Sequence, residues 1–331
     1  MKINNQEIIL RQSLLKTFEE SPKKFYQKVT NQETEKEDSS ALRIGSALDC
    51  YLTEGETFFD KFEVIEVNKP WGLMGTFIEN LPPNLSLDSP KEDYKEAYTK
   101  SGYKMDLNKV ITWFWNTQAN VYYYQYLNTD KNKHSKQILT LDEYEVVSKL
   151  LNSIKSSPYA NWYFTLNDEN NISQLNIIFN YKGIKFSSTL DKVIFDHNKK
   201  LILPIDLKTT RRNASFKDLF LEYRYYRQAG LYTEALKAYL SNIGMSDYTI
   251  LPFKFVVASV IRGKSVPAKV WETTDSDIKA GLEGGYSNGK YYKGVNELIE
   301  ELKWHIKNNY WETSKEEYEN GGVIPLNVFN S

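Results

Sequence analysis

The sequence predicts an α/β fold, a central sheet flanked by helices, and three observations carry that expectation. Segments 179–191, 192–196 and 201–210 are rich in β-branched and aromatic residues and are parted by a polar cluster at His197–Lys200, as neighbouring strands joined by a turn would be. The run Phe253–Ile261 is almost wholly apolar, which suits a strand covered on both faces. Around these lie stretches with helical spacing of apolar residues, at 8–28, 40–53, 140–157, 216–240 and 290–310.

In chain order, 8–28 is expected as a helix with Leu14, Leu15 and Phe18 on its apolar side, interrupted at Ser21–Pro22. Residues 31–40 are charged and polar, a loop by composition. In the helix at 40–53, Gly45 and Asp49 lie four apart on one face, Gly45 leaving room for another element, while Leu48 and Leu52 pack. A short strand is expected from Phe62 to Val67. Residues 68–106, with Pro82-Pro83 and Pro90, read as loop. The stretch 107–127, with Trp113, Phe114, Trp115 and four tyrosines at 122–126, is too aromatic to assign by periodicity. Its rings serve either core packing or base stacking. Thr140 and Glu143 form a capping-box pattern at the head of the helix at 140–157, which Ser157-Pro158 stops.

Trp162–Leu166 and Leu175–Phe179 supply strand material, with a turn at Asn167–Asn171. The helix at 216–240 places Gln228 and Tyr232 four apart on one side. Pro267–Asp277 and Gly281–Gly289 read as loops, and the latter lacks the preceding strand and lysine of a phosphate-binding loop. Leu298, Ile299, Leu302 and Ile306 mark a closing helix, followed by an acidic tail. The organisation expected is 1–67, an N-terminal helical part; 68–139, a largely helical insertion; 140–265, the sheet-bearing core; and 266–331, loops and closing helix.

The chemistry concentrates on the strand pair. Asp191 and Asp206 fall on adjacent strands, and Lys208 shares a face with Asp206 because the strand period is two. Paired carboxylates suit Mg²⁺ or Mn²⁺, and a neighbouring ammonium can position water or neutralise charge developing on a phosphodiester. Asp-x-Lys alone is a weak signal, and Asp191 could equally make a surface ion pair. Yet Leu201–Leu207 is otherwise apolar, and a charge on an interior strand is costly without a partner.

Ile205-Asp-Leu-Lys-Thr-Thr210, with Leu190-Asp191 before it and Gln228-Ala-Gly-Leu-Tyr232 after it, resembles the PD-(D/E)xK nuclease superfamily, in the branch of RecB-type domains, Cas4-like nucleases and exodeoxyribonuclease VIII-type phage or prophage enzymes. Ser13–Phe25 resembles that branch's opening helix and Gly45–Glu54 its Gly-x-x-x-His helix, so the likeness covers roughly 10–65 and 170–262. It implies a restriction-endonuclease-like core with a mixed sheet, and a metal-dependent deoxyribonuclease working from DNA ends. A DNA endonuclease or a non-catalytic nucleic-acid-binding relative is the alternative. It implies Asp49, Asp191, Asp206 and the Leu207 carbonyl as metal ligands for Mg²⁺ or Mn²⁺. The implied catalytic set is Asp191, Asp206, Lys208, Gln228 and Tyr232. DNA is the implied partner, with a single-strand annealing recombinase and homo-oligomer formation as further expectations. Three departures stand out: Asp49 replaces the usual histidine, Gln174 stands where glutamate is common, and Phe186–Thr189 lacks the frequent Arg or Lys.

Composition sets outer limits. The 331 residues, 41% hydrophobic and 26% charged, can bury a large core and argue against disorder. Cys50 is the single cysteine, so neither an intramolecular disulfide nor a cysteine-ligated cluster can form, and its apolar neighbours suit a buried thiol. The opening residues lack a signal-peptide core and no run suits a membrane span, so a cytoplasmic, non-membrane protein is expected. Net charge is −1, but Lys199, Lys200, Lys208, Arg211, Arg212 and Lys217 are expected around the site, as phosphate contacts. Arg224 and Arg227 are read as phosphate contacts or solvated helix residues.

Overall fold

The computed structural model describes residues 2–3, 6–30, 39–68, 70–127, 136–165, 170–210 and 215–323. Arg211, Arg212, the acidic stretch 33–38 and most of the turn expected at 167–171 lie outside them. The chain divides into two compact units, Met1–Glu37 with Ser153–Ser331, and Asp38–Asn152.

The first unit is the α/β core. Its main elements are α1 (Gln12–Glu20), α2 (Pro22–Val29), β1 (Asn171–Tyr181), β2 (Ile184–Asp196), β3 (Leu201–Thr210), α3 (Phe216–Glu222), α4 (Tyr225–Asn242), β4 (Lys254–Ile261), β5 (Lys264–Glu272), α5 (Asp275–Glu283) and α6 (Val295–Asn308). The strands run in the order β5-β4-β3-β2-β1, and the short strand Thr249–Ile250 also pairs with β3. β3 and β4 are parallel, with α3 and α4 in the long connection such a pair requires, and the other neighbours are antiparallel, so the sheet is mixed. This is a restriction-endonuclease-like α/β architecture. Leu190, Val193, Ile202, Phe255 and Val257 of the sheet are buried with Ala229, Leu231, Leu236, Leu298 and Leu302 of the helices in one core.

One irregularity places the site. β2 and β3 pair only through Lys192↔Ile205 to Asp196↔Leu201, after which they part: β3 stays with β4, and β2 stays with β1. The edge of β2 so vacated takes Leu10, whose N–H donates to the Lys185 carbonyl (2.9 Å) and whose carbonyl accepts from Ser187 (2.8 Å). The residues at the crotch of this fork are Asp191 and Asp206.

Several expectations are corrected here. Leu10 is a strand-like bridge, so the first helix begins at Gln12 rather than at 8; it breaks at Ser21–Pro22 as expected, with Ser21 capping α2. The helix expected over 216–240 is two, because Arg224 adopts a left-handed conformation (φ 62°) between them. Trp162–Thr165 belongs to a short helix, Asn161–Thr165, led in by the Ser157 hydroxyl accepting from the Ala160 N–H (3.2 Å); an aromatic run fits one helical turn as well as a strand. Pro267 lies in a strand, not a loop. β5 is at the sheet edge and its register shifts between Val266 and Lys269, and an edge bulge is where a strand tolerates proline. Gly281 ends up in α5, and 285–287 pairs with 290–292 in a hairpin.

Gly281 is there for contact. A Cβ at this position would lie 2.2 Å from the Tyr226 carbonyl oxygen of α4. Alanine in a helix normally stabilises relative to glycine. Gly281→Ala is instead expected to destabilise by about 1–3 kcal/mol through overpacking, read as a lower melting temperature.

The second unit is largely helical, with a helix at Ser40–Glu54 and a parallel pair of short strands, Phe62–Ile65 and Gln137–Thr140. The stretch 68–106 is not simply loop. It holds helices Gly72–Glu79 and Lys95–Ser101, where Met74, Phe77 and Ile78 are buried, a spacing masked in the sequence by flanking glycines and prolines. Most rings of 107–127 serve the core: Phe114, Tyr122 and Tyr123 are buried, whereas Trp113 and Tyr124 are exposed. Thr140 and Glu143 form the expected reciprocal cap, and Glu143 also takes the Arg43 guanidinium. Cys50 is buried. A Cβ on Gly45 would meet nothing within 4 Å, so the close approach expected there is absent among the described residues.

Candidate active site

At the fork, Asp191 and Asp206 are held by different means. The β2–β3 register, carried one step past Lys192↔Ile205, sets them opposite each other. Asp191, half-buried, uses Oδ2 to accept the Leu207 N–H (2.8 Å), a group that pairing with β2 would otherwise satisfy. A strand residue directs its N–H and C=O to the same side, so the Leu207 carbonyl also faces the fork. The Gln174 amide reaches Asp191 Oδ1 (3.5 Å) from β1, on a backbone with φ 52°, a left-handed conformation uncommon for a side chain inside a strand.

Asp206 is 1% exposed. Its Oδ1 accepts from Gln228 Nε2 (2.6 Å) on α4, and its Oδ2 lies against the Lys208 ammonium as an ion pair without a well-directed hydrogen bond. Burial pushes the Asp206 carboxyl up, with Lys208 and Gln228 pulling the other way. Burial would lower Lys208, but the Asp206 charge, helped by Tyr225 and Asp191, more than offsets it and holds the lysine as a cation. The ammonium also sits over the Tyr225 ring, 4.7 Å from its centroid. Tyr232, one turn after Gln228, stays a phenol: burial and then the Asp206 charge raise its pKa.

Asp191, Asp206, Lys208, Gln228 and Tyr232 thus come together within the first unit. Asp49 lies on the helix Ser40–Glu54 of the second unit, with its main-chain carbonyl accepting from Thr53. Among the described residues there is no group of three or more His, Cys, Asp and Glu side chains placed to hold a metal. The donors at the fork are two carboxylates and one carbonyl.

Lys199, Lys200, Arg224 and Arg227 are placed differently from expectation. Lys199 and Lys200 sit at the far end of the β2–β3 hairpin, paired with Asp196 and Asp247, and the six residue steps of extended chain from Lys200 to Asp206 span roughly 20 Å. Arg227 is neither solvated nor open to phosphate: it is fully buried, bonded to Glu19 (2.5 and 2.9 Å) and to the Lys293 carbonyl (2.7 Å). Arg224 joins the same Glu19 (3.0 Å). Both arginines fasten α4 to α1.

Over residues 12–301 the chain matches the family described as a PDDEXK-like domain of unknown function (DUF3799). The chain belongs to this PDDEXK-like family. Among solved structures, the PDDEXK-like protein is similar to a "Putative exonuclease" from Eubacterium rectale, at 13% identity and TM-score 0.48, over 96% of this chain and 90% of that one. It is also similar to SSO0001, at 14% identity and TM-score 0.25, over 52% and 62% of the two chains. Both likenesses are too loose to carry weight. No curated protein matches it. No helix among the described residues is long and apolar enough to cross a membrane.

Two parts of the PDDEXK-like site had no role assigned from the sequence. Gln174, noted there only as standing where glutamate is common, faces Asp191. Tyr225 carries the ring beneath Lys208, and nothing in its spacing distinguishes it from its tyrosine neighbours.

Proposed function

We propose that this protein is a metal-dependent deoxyribonuclease that hydrolyses phosphodiester bonds from DNA ends. The observation that carries it is the placement of Asp191, Asp206 and Lys208 together at the fork between β2 and β3. Asp191, Asp206 and the Leu207 carbonyl are hard oxygen donors suited to Mg²⁺ or Mn²⁺, and the buried Asp206 Oδ2, short of a directed hydrogen bond, is fitted to share such an ion. When bound, the ion supplies Lewis-acid chemistry, polarising a phosphoryl oxygen and acidifying water.

The protein's own groups do the rest. Lys208, held protonated, serves as a fixed positive charge for the attacking water and the phosphate, not as a general base. Gln228 orients Asp206. Tyr232, a phenol at neutral pH, can donate to an oxygen of substrate or water. Action at ends follows the resemblance of Gly45–Glu54 and Asp191–Tyr232 to the exodeoxyribonuclease VIII-type branch.

The test compares covalently closed circular duplex DNA with the same molecule linearised, each with Mg²⁺ and with EDTA. Progressive loss of the linear form alone, dependent on Mg²⁺, is the expected result. Discrete internal fragments from the closed circle would instead make the protein an endonuclease, and inertness towards both would leave it a non-catalytic relative.

A further inference from the structure

The residues paired across the sheet continue the line of the carboxylates. Asp206 of β3 pairs with Phe255 of β4, and Phe255 pairs with Trp271 of β5. Residues paired in this way share a face of the sheet. At about 4.8 Å per strand, Trp271 stands roughly 10 Å from Asp206. There Phe255 and Trp271 line a cavity of 570 Å³ whose walls also include Phe216, Tyr286 and Tyr292. Sites for small organic ligands span about 300–1,000 Å³.

Three features narrow what fits it. Tyr286 is 79% exposed at the mouth, on the 285–292 hairpin, an apolar ring presented to solvent. The polar lining includes Thr274, Ser276 and the carboxylates of Glu272, paired with Lys254, and Asp277, which caps its helix through Thr274; their remaining lone pairs accept hydrogen bonds from the N–H groups of a neutral heterocycle better than they admit a phosphate. Cations stand close by: Lys217 belongs to the lining, and Lys290 on the hairpin lies over the Tyr292 ring, 5.5 Å from its centroid. Aromatic faces interleaved with cations form a platform for single-stranded nucleic acid, bases on the rings and backbone on the charges.

We infer that this cavity receives an unpaired nucleobase of the DNA strand whose backbone reaches Asp206, so that the preferred substrate is a DNA end carrying single-stranded nucleotides. This rests on the nuclease function proposed above. The carboxylates of the lining disfavour phosphate inside the cavity, and the shared sheet face sets cavity and fork close enough for one strand, passing over the Phe216, Tyr225 and Phe255 rings, to engage both.

The experiment measures binding of a fluorescent oligothymidylate to the full chain in EDTA, by anisotropy, with 5-iodouracil photocrosslinking to locate the contact. Tyr286→Ala is expected to weaken binding about fivefold or more, the loss of one base stack, while Tyr286→Phe keeps it. Crosslinks are expected in peptides containing Trp271 or Tyr286. Unchanged affinity of Tyr286→Ala, or crosslinks confined to other segments, overturns the inference. The two ideas fail separately. Full-rate cleavage by an Asp206→Asn protein removes the nuclease reading whatever Tyr286 does, whereas intact cleavage with binding indifferent to Tyr286→Ala removes the nucleobase cavity alone.

Discussion

Asp206→Asn is expected to lower cleavage of linear DNA by at least ~10²-fold, because it deletes the buried charge that pairs with Lys208 and is proposed to hold the metal ion. The amide keeps the shape and still meets Gln228, so binding to a short duplex in EDTA should change far less than turnover. Lys208→Ala should fall in parallel, since its ammonium is the cation paired with Asp206 at the fork. Turnover of either purified, folded variant within a few-fold of the parent would disprove the assignment of chemistry to this pair.

The second large effect lies beside the site rather than in it. Glu19→Ala leaves the fully buried Arg227 without its carboxylate, and breaking a buried ion pair from one side costs about 3–5 kcal/mol. A drop of that size in chemical-denaturation stability is expected, with Glu19→Gln losing less because it retains hydrogen-bonding oxygen. The pH dependence has a definite sign. Burial raises the Glu19 carboxyl, but the Arg227 hydrogen bonds and the charges of Arg227 and Arg224 outweigh it and hold it below its ordinary value. A depressed folded-state pKa stabilises fully above the unfolded value, about 4.3, and the benefit fades as pH falls through the folded one. The stability gap between parent and Glu19→Gln should therefore be constant near neutrality and close only in acid, below about pH 4. A gap that closes on raising the pH would contradict the pairing.

Much of this was legible in the chain. Leu201–Thr210 showed itself because two charges interrupt an apolar strand, and the capping box at Thr140–Glu143 because its two residue types stand at the required spacing. What escaped depends on partners distant in sequence. Nothing about Arg227 announces burial until Glu19, 208 positions away, is brought to it. Lys199 and Lys200 looked close to the site because they are close in sequence, but an extended strand carries its ends apart. The edge strand Lys264–Glu272 was hidden by Pro267, although Arg262-Gly263, both at positive φ (51° and 75°), is the kind of two-residue turn that joins hairpin strands. Gly281 looked like a loop signal, whereas its missing Cβ is a matter of helix contact.

The divergence of β2 from β3 has a practical use. Where two strands stay zipped, a main-chain amide reports the stability of the sheet; at the fork the Leu207 amide is covered by a carboxylate instead. Its hydrogen-exchange rate is therefore a gauge of one side chain's position, readable without substrate or turnover. Any event that pulls Asp191 towards another ligand should unmask this single amide while its zipped neighbours along β3 stay slow, so the protein carries a built-in reporter of occupancy at its own cleft.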